Sequence, residues 1–559
     1  MLKASISQHI DGLFEALGVW GTYQVLQIII VESLALSASH ELFSILYIGY
    51  QPPVRCKGLE NVSMTDDFNN LTDYGTFYKS CNDVVDVVNG SHVTGSCSRG
   101  YEYNQPKQAT FVSEWDLVCG RSYQAQLPQM LLIGGQLFGA SFFTSMADRF
   151  GRRKICFLSQ LGLLLISVGT AFSPSLIVLA TLRFFTGSFQ QGVVMSFSVI
   201  PLEVMPTKNR ALCFLIIGTF WPICLQVLNG IGYAFRFTSW RHMQLSISGV
   251  ILLVFIPNLI FLKETLRWLF ANGRTEDAKE IIKKAIRMNK APETEVWEQA
   301  TRCIAESERS WQRAQKETEL SALGSPGTAV GLSLNGYGSE KPLSIIDIFK
   351  IPRLRCTALI MFFVWIVNAL THFGLVLTSA KLAGNRFINY ILVSMDMLPA
   401  SFIAYFILIR FGRKPACCSF HAIVGVCLVV AALVQGFGGQ EFSTIVTVFT
   451  ILGKFGNSAS FVILFLYTPE LYPTNLRSFG LGFASSASRL GGMLAPFSNL
   501  VMDYIPWAPG TVYGICSLLA CLLIMLLPET LNRQLPQTVE EINAWNGPSI
   551  CRRKTSESE

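Results

Sequence analysis

Long apolar segments constrain the fold of this chain more than any other feature of its sequence. A membrane-spanning helix needs about 20 mostly apolar residues, and twelve windows of that kind occur along the 559 residues. Only 14% of the residues are charged, about half of the share in soluble domains. The sequence therefore predicts an all-α integral membrane protein. The windows lie near 21–48, 125–146, 155–173, 176–200, 211–233, 244–262, 357–379, 388–409, 415–436, 443–467, 479–501 and 510–527.

The windows form two groups of six, separated by a long polar segment. The first twenty residues lack a cleavage-like site after an apolar run, so we expect the first span to remain in the mature protein. Within the polar segment, 278–286 has helical periodicity, and 323–338 is rich in Gly and Ser, as in flexible linkers. The expected organisation is a cytoplasmic N-terminus (1–20), a first half (21–262) containing a loop at 51–123, a cytoplasmic central loop (263–355), a second half (356–528) and a cytoplasmic tail (529–559).

Basic residues in the loops indicate the orientation of the chain. The segment 263–355 carries 16 Lys or Arg residues against 13 Asp or Glu. Short basic turns at 148–154, 208–210 and 410–414 fall on the same side of a twelve-span arrangement, and so does Arg477. Because cytoplasmic loops carry an excess of Lys and Arg, we expect this side and both termini to face the cytoplasm.

The loop at 51–123 is different in kind, with 9 acidic residues against 6 basic ones, four cysteines and three glycosylation sequons. Together these features predict a glycosylated, disulfide-bonded extracellular loop. Four cysteines allow three pairings, and the sequence does not choose between them. The other 11 cysteines lack metal-site spacing and are interpreted as small apolar residues. The sequons are at Asn61, Asn70 and Asn89, and the loop cysteines are Cys56, Cys81, Cys97 and Cys119.

A short motif recurs at equivalent positions in the two groups of six windows. Phe150–Arg153 reads Phe-Gly-Arg-Arg after the second window, and Phe411–Lys414 reads Phe-Gly-Arg-Lys after the eighth. Basic residues at any cytoplasmic loop would satisfy topology alone. Repetition of a motif at equivalent offsets favours an internally duplicated secondary transporter, which binds its substrate between the halves near the membrane midplane.

Four segments resemble a known family. Asp148–Lys154 resembles the signature loop of the major facilitator superfamily. Glu114–Cys119, Glu470–Arg477 and Leu527–Leu531 resemble the organic ion transporter family (solute carrier 22 type) within it. The resemblance covers about 10–535. It implies the major facilitator fold, with twelve transmembrane helices in two six-helix halves, a large extracellular loop after the first helix, and transport by alternating access.

Charged residues at the predicted cytoplasmic helix ends are candidates for a gating latch. Alternating access requires two stable arrangements, and charge networks are suited to stabilise one of them. A structural or trafficking role for the same charges is the alternative. The gating or coupling candidates are Asp148, Arg149, Arg152, Arg153, Arg183, Glu203, Arg410, Arg413, Glu470 and Arg477, with Glu264 and Glu529 as further acidic partners.

Arg489 is the most informative ionisable residue within the predicted spans. It lies midway along the eleventh window among small residues, and a charge inside a span usually faces a cavity. In the resembled family this position is acidic in the organic cation branch and Arg in the organic anion and carnitine-type branches. A guanidinium binds a carboxylate with two hydrogen bonds. The alternative is an Arg paired internally with a helix carboxylate.

Further ionisable and aromatic residues in the spans are candidates for the substrate site. Lys454 would add a second positive charge or bridge helices, and His372 would hydrogen-bond a substrate or serve structure. Asp396 is one position away from the acidic residue of the resembled family. Glu32, His40 and Glu41 interrupt the first window. The substrate-binding candidates are Arg489, Lys454, His372, Phe373, Trp365, Phe362, Trp221 and Tyr233.

The sequence therefore predicts a multi-pass plasma-membrane transporter of small organic anions or zwitterions, carnitine-like ones included. Its partners would be the organic ion, the lipid bilayer, and a coupling ion (sodium or proton) or an exchanged anion. An organic cation transporter and a non-transporting receptor-like member of the same fold are the alternatives. No nucleophile motif, Walker lysine loop or basic nucleic-acid tract occurs, so we expect no enzyme activity, cofactor, metal or nucleic-acid partner.

Overall fold

The computed structural model describes residues 2–56, 82–88, 91–97, 100–323, 345–438, 440–473 and 476–531. All twelve apolar windows fall on helices, and eight helical segments of the described residues are long and apolar enough to cross a membrane. Helices of the first half are α1 (Leu2–Ala16), α2 (Thr22–Glu32), α3 (Leu34–Phe43), α4 (Ile45–Ile48), α5 (Phe111–Glu114), α6 (Leu127–Phe150), α7 (Arg152–Ala171), α8 (Leu176–Val204), α9 (Arg210–Ala234) and α10 (Trp240–Phe261).

The central segment and the second half are also helical. The predicted helix at 278–286 lies within α12, and the Gly/Ser-rich segment after Leu323 lies outside the described residues. The remaining helices are α11 (Leu266–Ala271), α12 (Thr275–Asn289), α13 (Glu293–Leu323), α14 (Ile345–Lys350), α15 (Pro352–Thr378), α16 (Arg386–Met395), α17 (Met397–Phe411), α18 (Arg413–Phe437), α19 (Ser443–Glu470), α20 (Arg477–Leu494), α21 (Phe497–Tyr504) and α22 (Ala508–Ile524).

Close helix contacts within each half depend on small residues. In the first half, a Cβ added to Gly135 of α6 would meet the carbonyl of Phe184 on α8, and one on Gly187 would meet the carbonyl of Leu132. In the second half, Gly491 of α20 is equally close to the carbonyl of Ile366 on α15. Small residues at such positions let transmembrane helices approach closely. One large cluster of buried apolar side chains lies in the second half, and the other fills the first half and extends to Val376, Tyr390 and Ala495 of the second.

A smaller layer of helices covers one end of the first half. Ile10, Leu13 and Phe14 of α1 pack against α11, α12 and α13 in a separate apolar cluster. We call this the basic end of the molecule, because the turns 148–154 and 410–414 lie there. The opposite end, which carries the loop at 51–123, is called the loop end.

The loop between the first and second spans contains short strands that the sequence analysis did not predict. β1 (Val54–Cys56) pairs antiparallel with β4 (Tyr101–Tyr103), and β2 (Asn82–Val88) pairs with β3 (Ser91–Ser96). Cys97 and Cys119 are disulfide-bonded, in line with the expected oxidised loop. Cys356 of α15 is also disulfide-bonded, so the interpretation of every cysteine outside the loop as an unpaired apolar residue was wrong for it. The sequons at Asn61, Asn70 and Asn89 lie outside the described residues.

Candidate functional site

A charge network ties together three helix ends at the basic end of the first half. Arg152 forms ion pairs with Asp148 at 2.9 Å and with Glu203 at 3.1 Å. The backbone N–H of Arg152 donates to Glu264 Oε1 at 3.1 Å, and that of Arg153 donates to Glu264 Oε2 at 3.1 Å. The Thr265 hydroxyl donates to Glu203 Oε2 at 2.6 Å. The network therefore fixes the start of α7 against the ends of α8 and α10.

The second half repeats this network almost atom for atom. Arg413 forms an ion pair with Glu470 at 3.2 Å. The backbone N–H groups of Arg413 and Lys414 donate to the two oxygens of Glu529 at 3.0 and 2.9 Å. The Thr530 hydroxyl donates to Glu470 Oε2 at 2.5 Å. The predicted partnership of the basic turns with Glu203, Glu264, Glu470 and Glu529 is therefore present in the structure.

A glycine makes each network geometrically feasible. Gly151 and Gly412 precede the paired arginines and have φ of 105° and 99°, a region that side chains with a Cβ rarely adopt. A Cβ at Gly151 would also collide with the Glu264 carboxylate, and one at Gly412 would lie 2.7 Å from Glu529 Oε2. Both features require glycine where the backbone approaches the carboxylate.

The first half has a further layer of contacts around its network. Arg267 of α11 forms an ion pair with Asp11 of α1, and its Nε donates to the Glu203 carbonyl at 3.2 Å. Burial acts in the opposite direction, but hydrogen bonds from Thr207 and Arg267 lower the pKa of the Asp11 carboxyl. The Trp268 indole donates to the Asp148 carbonyl at 2.9 Å. The N-terminal helix is thus connected to the latch through Arg267.

Two predicted gating residues lie outside these networks. Arg149 is exposed, with its guanidinium 5.4 Å from the centre of the Phe150 ring, and Arg410 is exposed. Arg477 donates through Nε to the Pro469 carbonyl at 3.0 Å and so supports the end of α19. The structure therefore does not bring Arg149 or Arg410 into contact with the acidic helix ends.

Arg183 is completely buried inside the first half, against α3. Its guanidinium lies 3.5 Å from Glu41 Oε2 and donates to the Ser44 hydroxyl at 2.8 Å. Gln244 donates to the other Glu41 oxygen at 3.0 Å, and Ser167 donates to the same oxygen. This buried ion pair and its hydrogen bonds link four helices, α3, α7, α8 and α10, which gives Arg183 a packing role.

Lys454 is neutralised within the second half and is not a free positive charge. Its Nζ donates to Ser458 at 2.8 Å, lies 3.7 Å from Asp396 Oδ2, and contacts His372 Nδ1 at 3.3 Å. The Ser458 hydroxyl donates to the same Asp396 oxygen at 2.8 Å. Asp396 occupies the break between α16 and α17, which places its carboxylate beside α19. This pairing supports the alternative in which Lys454 bridges helices.

Arg489 is part-buried, and its partners are uncharged, unlike those of Arg183 and Lys454. Its Nη1 donates to the Ser488 hydroxyl at 2.9 Å, and its Nη2 donates to Gln191 Oε1 at 3.3 Å. Among the ion pairs between described residues, none involves Arg489. Its Nε and the amide nitrogen of Gln191 are both buried and lack a partner in the described part of the chain. Internal pairing of Arg489 with a helix carboxylate is therefore not observed.

The candidate aromatic residues do not form one pocket. The Phe373 ring packs at a tilt against Phe43 of the other half, with 6.2 Å between ring centres, and meets His372 edge-on at 5.4 Å. Trp365 is fully buried, with its indole donating to Thr468 at 2.9 Å, which gives it a packing role. The other three are dispersed: Phe362 stacks on Phe483, Trp221 stacks on Phe197, and Tyr233 is half-exposed beneath Arg236.

Side chains from both halves meet at the loop end. Tyr47 of α4 stacks on Phe387 at 6.0 Å and meets Tyr390 edge-on at 5.9 Å. Its hydroxyl donates to Asn229 at 2.6 Å, and Asn229 donates to the Phe387 carbonyl at 3.3 Å. By contrast, every bond of the two basic-end networks joins residues of one half. The halves are thus closed against each other at the loop end.

Gln191, Thr265 and Thr530 are among the residues of these sites that were not predicted from the sequence. Gln191 is uncharged and lies in an apolar window, so it carries no signal of its own. Thr265 and Thr530 did have a signal, because a Glu-Thr-Leu triplet occurs at 264–266 and again at 529–531. Repetition of this triplet after the sixth and twelfth spans marks both threonines as equivalent positions.

Comparison with known proteins places the chain among transporters. A family model described as "Sugar (and other) transporter" matches residues 121–542. Solute carrier family 22 member 6-A of Xenopus laevis is 28% identical over 95% of this chain and 93% of its own length. Organic anion transporter 3 of Mus musculus is 29% identical, covering 95% and 94%. An organic cation transporter protein of Drosophila melanogaster is 28% identical, also covering 95% and 94%.

Solved structures support the fold. The inward-open xylose transporter XylE of E. coli aligns with a TM-score of 0.58 at 14% identity, covering 93% of this chain and 99% of that structure. A likeness at this identity establishes the major facilitator fold alone. Anion and cation transporters are equally similar in sequence to this chain, so overall identity does not distinguish the charge of the substrate.

Proposed function

We propose, from the premise that the chain belongs to the sugar (and other) transporter family, that it carries small organic anions or zwitterions through a carboxylate group. The single observation that supports this substrate class is the state of Arg489. Its side chain is part-buried, with Nε buried and unpartnered, and it has no acidic partner among the described residues. The buried cations Arg183 and Lys454 each have a carboxylate.

The energetics of a buried charge favour an anionic ligand at this position. An uncompensated charge in a low-dielectric interior is costly, and a hydrogen-bonded counter-charge offsets the cost. A substrate carboxylate would supply that counter-charge when it binds. An organic cation would instead add a second positive charge beside Arg489, which is why we favour the anion class over the cation alternative.

Gln191 is the residue of the first half that would contact the substrate in the proposed site. Because its Oε1 accepts from Arg489 at 3.3 Å, its amide nitrogen is a free donor next to the free Nε of the arginine. A carboxylate has two oxygens and would accept from both donors. Since Gln191 is on α8 and Arg489 is on α20, the substrate would be bound by both halves at once.

We place the basic end in the cytoplasm of a plasma-membrane protein, as the positive-inside pattern and the loop sequons favour. Closure at the loop end through Tyr47 and Asn229 then corresponds to an inward-facing arrangement. The two basic-end networks keep the helix ends of each half rigid while the halves rock against each other. A coupling ion, either sodium or a proton, or an exchanged anion would drive the cycle.

Uptake into expressing cells tests the proposed substrate class. A panel of radiolabelled organic anions, zwitterions and cations, with and without sodium, should show accumulation of carboxylate-bearing solutes. Arg489→Ala should nearly abolish that uptake, and Arg489→Lys should retain part of it because a charge remains without the two-pronged geometry. Arg302→Ala is the matched control, since Arg302 is exposed on α13. Wild-type uptake by Arg489→Ala at normal surface abundance would reject the proposal.

Orientation has its own test in the glycosylation of the loop. The triple variant Asn61→Gln, Asn70→Gln, Asn89→Gln should migrate faster on a gel than the wild type before any deglycosylation. Enzymatic deglycosylation should then remove the difference between them. Equal migration before digestion would contradict the extracellular placement of this loop.

A further inference from the structure

Three basic side chains lie near one another at the basic end of the molecule. Arg153 is the second residue of α7, Lys263 follows α10, and Lys284 lies on α12. None of the three takes part in an ion pair between described residues. The Nε of Arg153 is buried and has no hydrogen-bond partner there either. We call these residues the basic cluster.

Helix α2 is the element that brings the members of the cluster together. Gln27 of α2 accepts from the backbone N–H of Lys263 at 3.0 Å. One turn earlier, Asn289 at the end of α12 accepts from the Tyr23 N–H at 2.8 Å and donates to Gln24 at 2.8 Å. Lys284 precedes Asn289 by five residues on the same helix. The backbone at Lys263 and the end of α12 therefore both contact α2, with the Lys284 side chain exposed to solvent.

The positive charges of the basic cluster repel one another. Burial lowers the pKa of the Lys263 ammonium, Arg153 and Lys284 lower it further, and only Glu280 acts in the opposite direction. Like charges held together repel one another, and an anion among them would remove that repulsion. The Arg153 guanidinium, 5.2 Å from the centre of the Phe157 ring, is fixed in place to contribute.

The surroundings of the cluster indicate where such an anion would come from. Leu253, Ile260 and Phe261 of α10 are 71%, 57% and 45% exposed, and they lead directly to Lys263. An exposed apolar strip on a membrane-spanning helix faces lipid chains. A lipid whose chains lie along this strip would have its headgroup at the level of Lys263.

We propose that Arg153, Lys263 and Lys284 bind the phosphate group of an anionic lipid of the cytoplasmic leaflet. The inference rests on the proposed orientation, which places the basic end in the cytoplasm. Basic pockets at this depth are suited to anionic headgroups. The Arg153 N–H also donates to Glu264, so the bound lipid would stabilise the charge network of the first half.

The test uses the full-length protein in phosphatidylcholine nanodiscs with increasing fractions of phosphatidylinositol 4-phosphate. The unfolding temperature should rise and saturate with the anionic lipid. Near-surface basic residues contribute about fivefold each in affinity. The variant Lys263→Gln/Lys284→Gln should therefore need roughly thirtyfold more lipid for the half-maximal rise.

The matched control changes two other lysines near or on the same helix. Lys279→Gln/Lys290→Gln removes the same charge from Lys279 of α12, which pairs with Glu276, and from the exposed Lys290 at the end of that helix, and it should respond like the wild type. Equal responses of all three proteins would overturn the proposal, and so would stabilisation by inorganic phosphate alone. Because no substrate is used, a failure of the transport proposal leaves this result interpretable, and the reverse also holds.

Discussion

The two halves of the molecule build the same basic-end network with different surroundings. Arg152 and Arg413 occupy equivalent positions, and each binds one glutamate by its side chain and another by its backbone. In the first half, Asp148 gives Arg152 a second acidic partner. The equivalent position in the second half is Ile409. The arginine–glutamate contacts, which both halves share, thus fix helix ends within a half. The Asp148 pair is an addition that the first half alone has.

The difference is consistent with separate roles for the two layers. The shared layer is mostly buried, with the Glu203 and Glu470 side chains 16% and 14% exposed. The added Asp148 carboxylate is 67% exposed, where ion pairs contribute little to stability. We therefore expect the shared arginine–glutamate contacts to stabilise the fold. We expect the added Asp148 pair to affect the rate of the transport cycle instead.

The largest loss of stability is expected when Gly151 or Gly412 is replaced, and the loss should be equal in the two halves. Gly151→Ala and Gly412→Ala each force an unfavourable backbone conformation, at a cost of about 1–3 kcal/mol, and each displaces a glutamate. Both should lower the unfolding temperature of the purified protein. Gly249→Ala is the control, because nothing lies within 4 Å of a Cβ there. A marked effect in one half only would break the equivalence of the networks.

At the glutamates, the expected difference in stability between the two halves is smaller, roughly 0.5 kcal/mol. Loss of a hydrogen bond to a charged group costs about 1.5–3 kcal/mol, so Glu203→Gln and Glu470→Gln should both destabilise the protein. Glu470→Gln should cost more, by roughly 0.5 kcal/mol, because Arg413 lacks a counterpart of Asp148. Chemical denaturation of both variants measures the difference. The double variant Asp148→Asn/Glu203→Gln should match Glu470→Gln, and the opposite ranking would contradict the comparison.

The smallest effect on stability is expected for Asp148→Asn, within about 0.5 kcal/mol. Its effect should appear in transport instead, as a lower maximal rate at normal surface abundance with little change in the half-saturating concentration. Ile409→Asp, which gives Arg413 the missing partner, should have an effect on stability of similar size. A large loss of substrate affinity in Asp148→Asn with an unchanged maximal rate would exclude the latch role.

Features repeated along the chain could be predicted from the sequence. The apolar windows gave the helices, because the bilayer fixes their length. The Phe-Gly-Arg motif and the acidic helix ends predicted the charge networks, because both occur twice in the sequence. The networks also depend on Thr265 and Thr530, whose repeated triplet was available but was not used.

Features that depend on helix rotation could not be predicted. Lys454 and Asp396 are 58 positions apart, and the break between α16 and α17 determines that their charges meet. Gln191 is recognisable only because its amide faces Arg489 across the two halves. The disulfide at Cys356 likewise has no local signal. Each depends on tertiary packing rather than on local pattern.

Charge reversal at Arg489 tests the central claim most directly. Uptake of an organic anion and of a cation of similar size is measured in wild-type and Arg489→Asp cells of equal surface abundance. Loss of a buried charge partner costs about 2–5 kcal/mol, so anion uptake should fall at least about thirtyfold. The ratio of cation to anion uptake should rise. Transport of the anion by Arg489→Asp with wild-type half-saturating concentration would contradict the account.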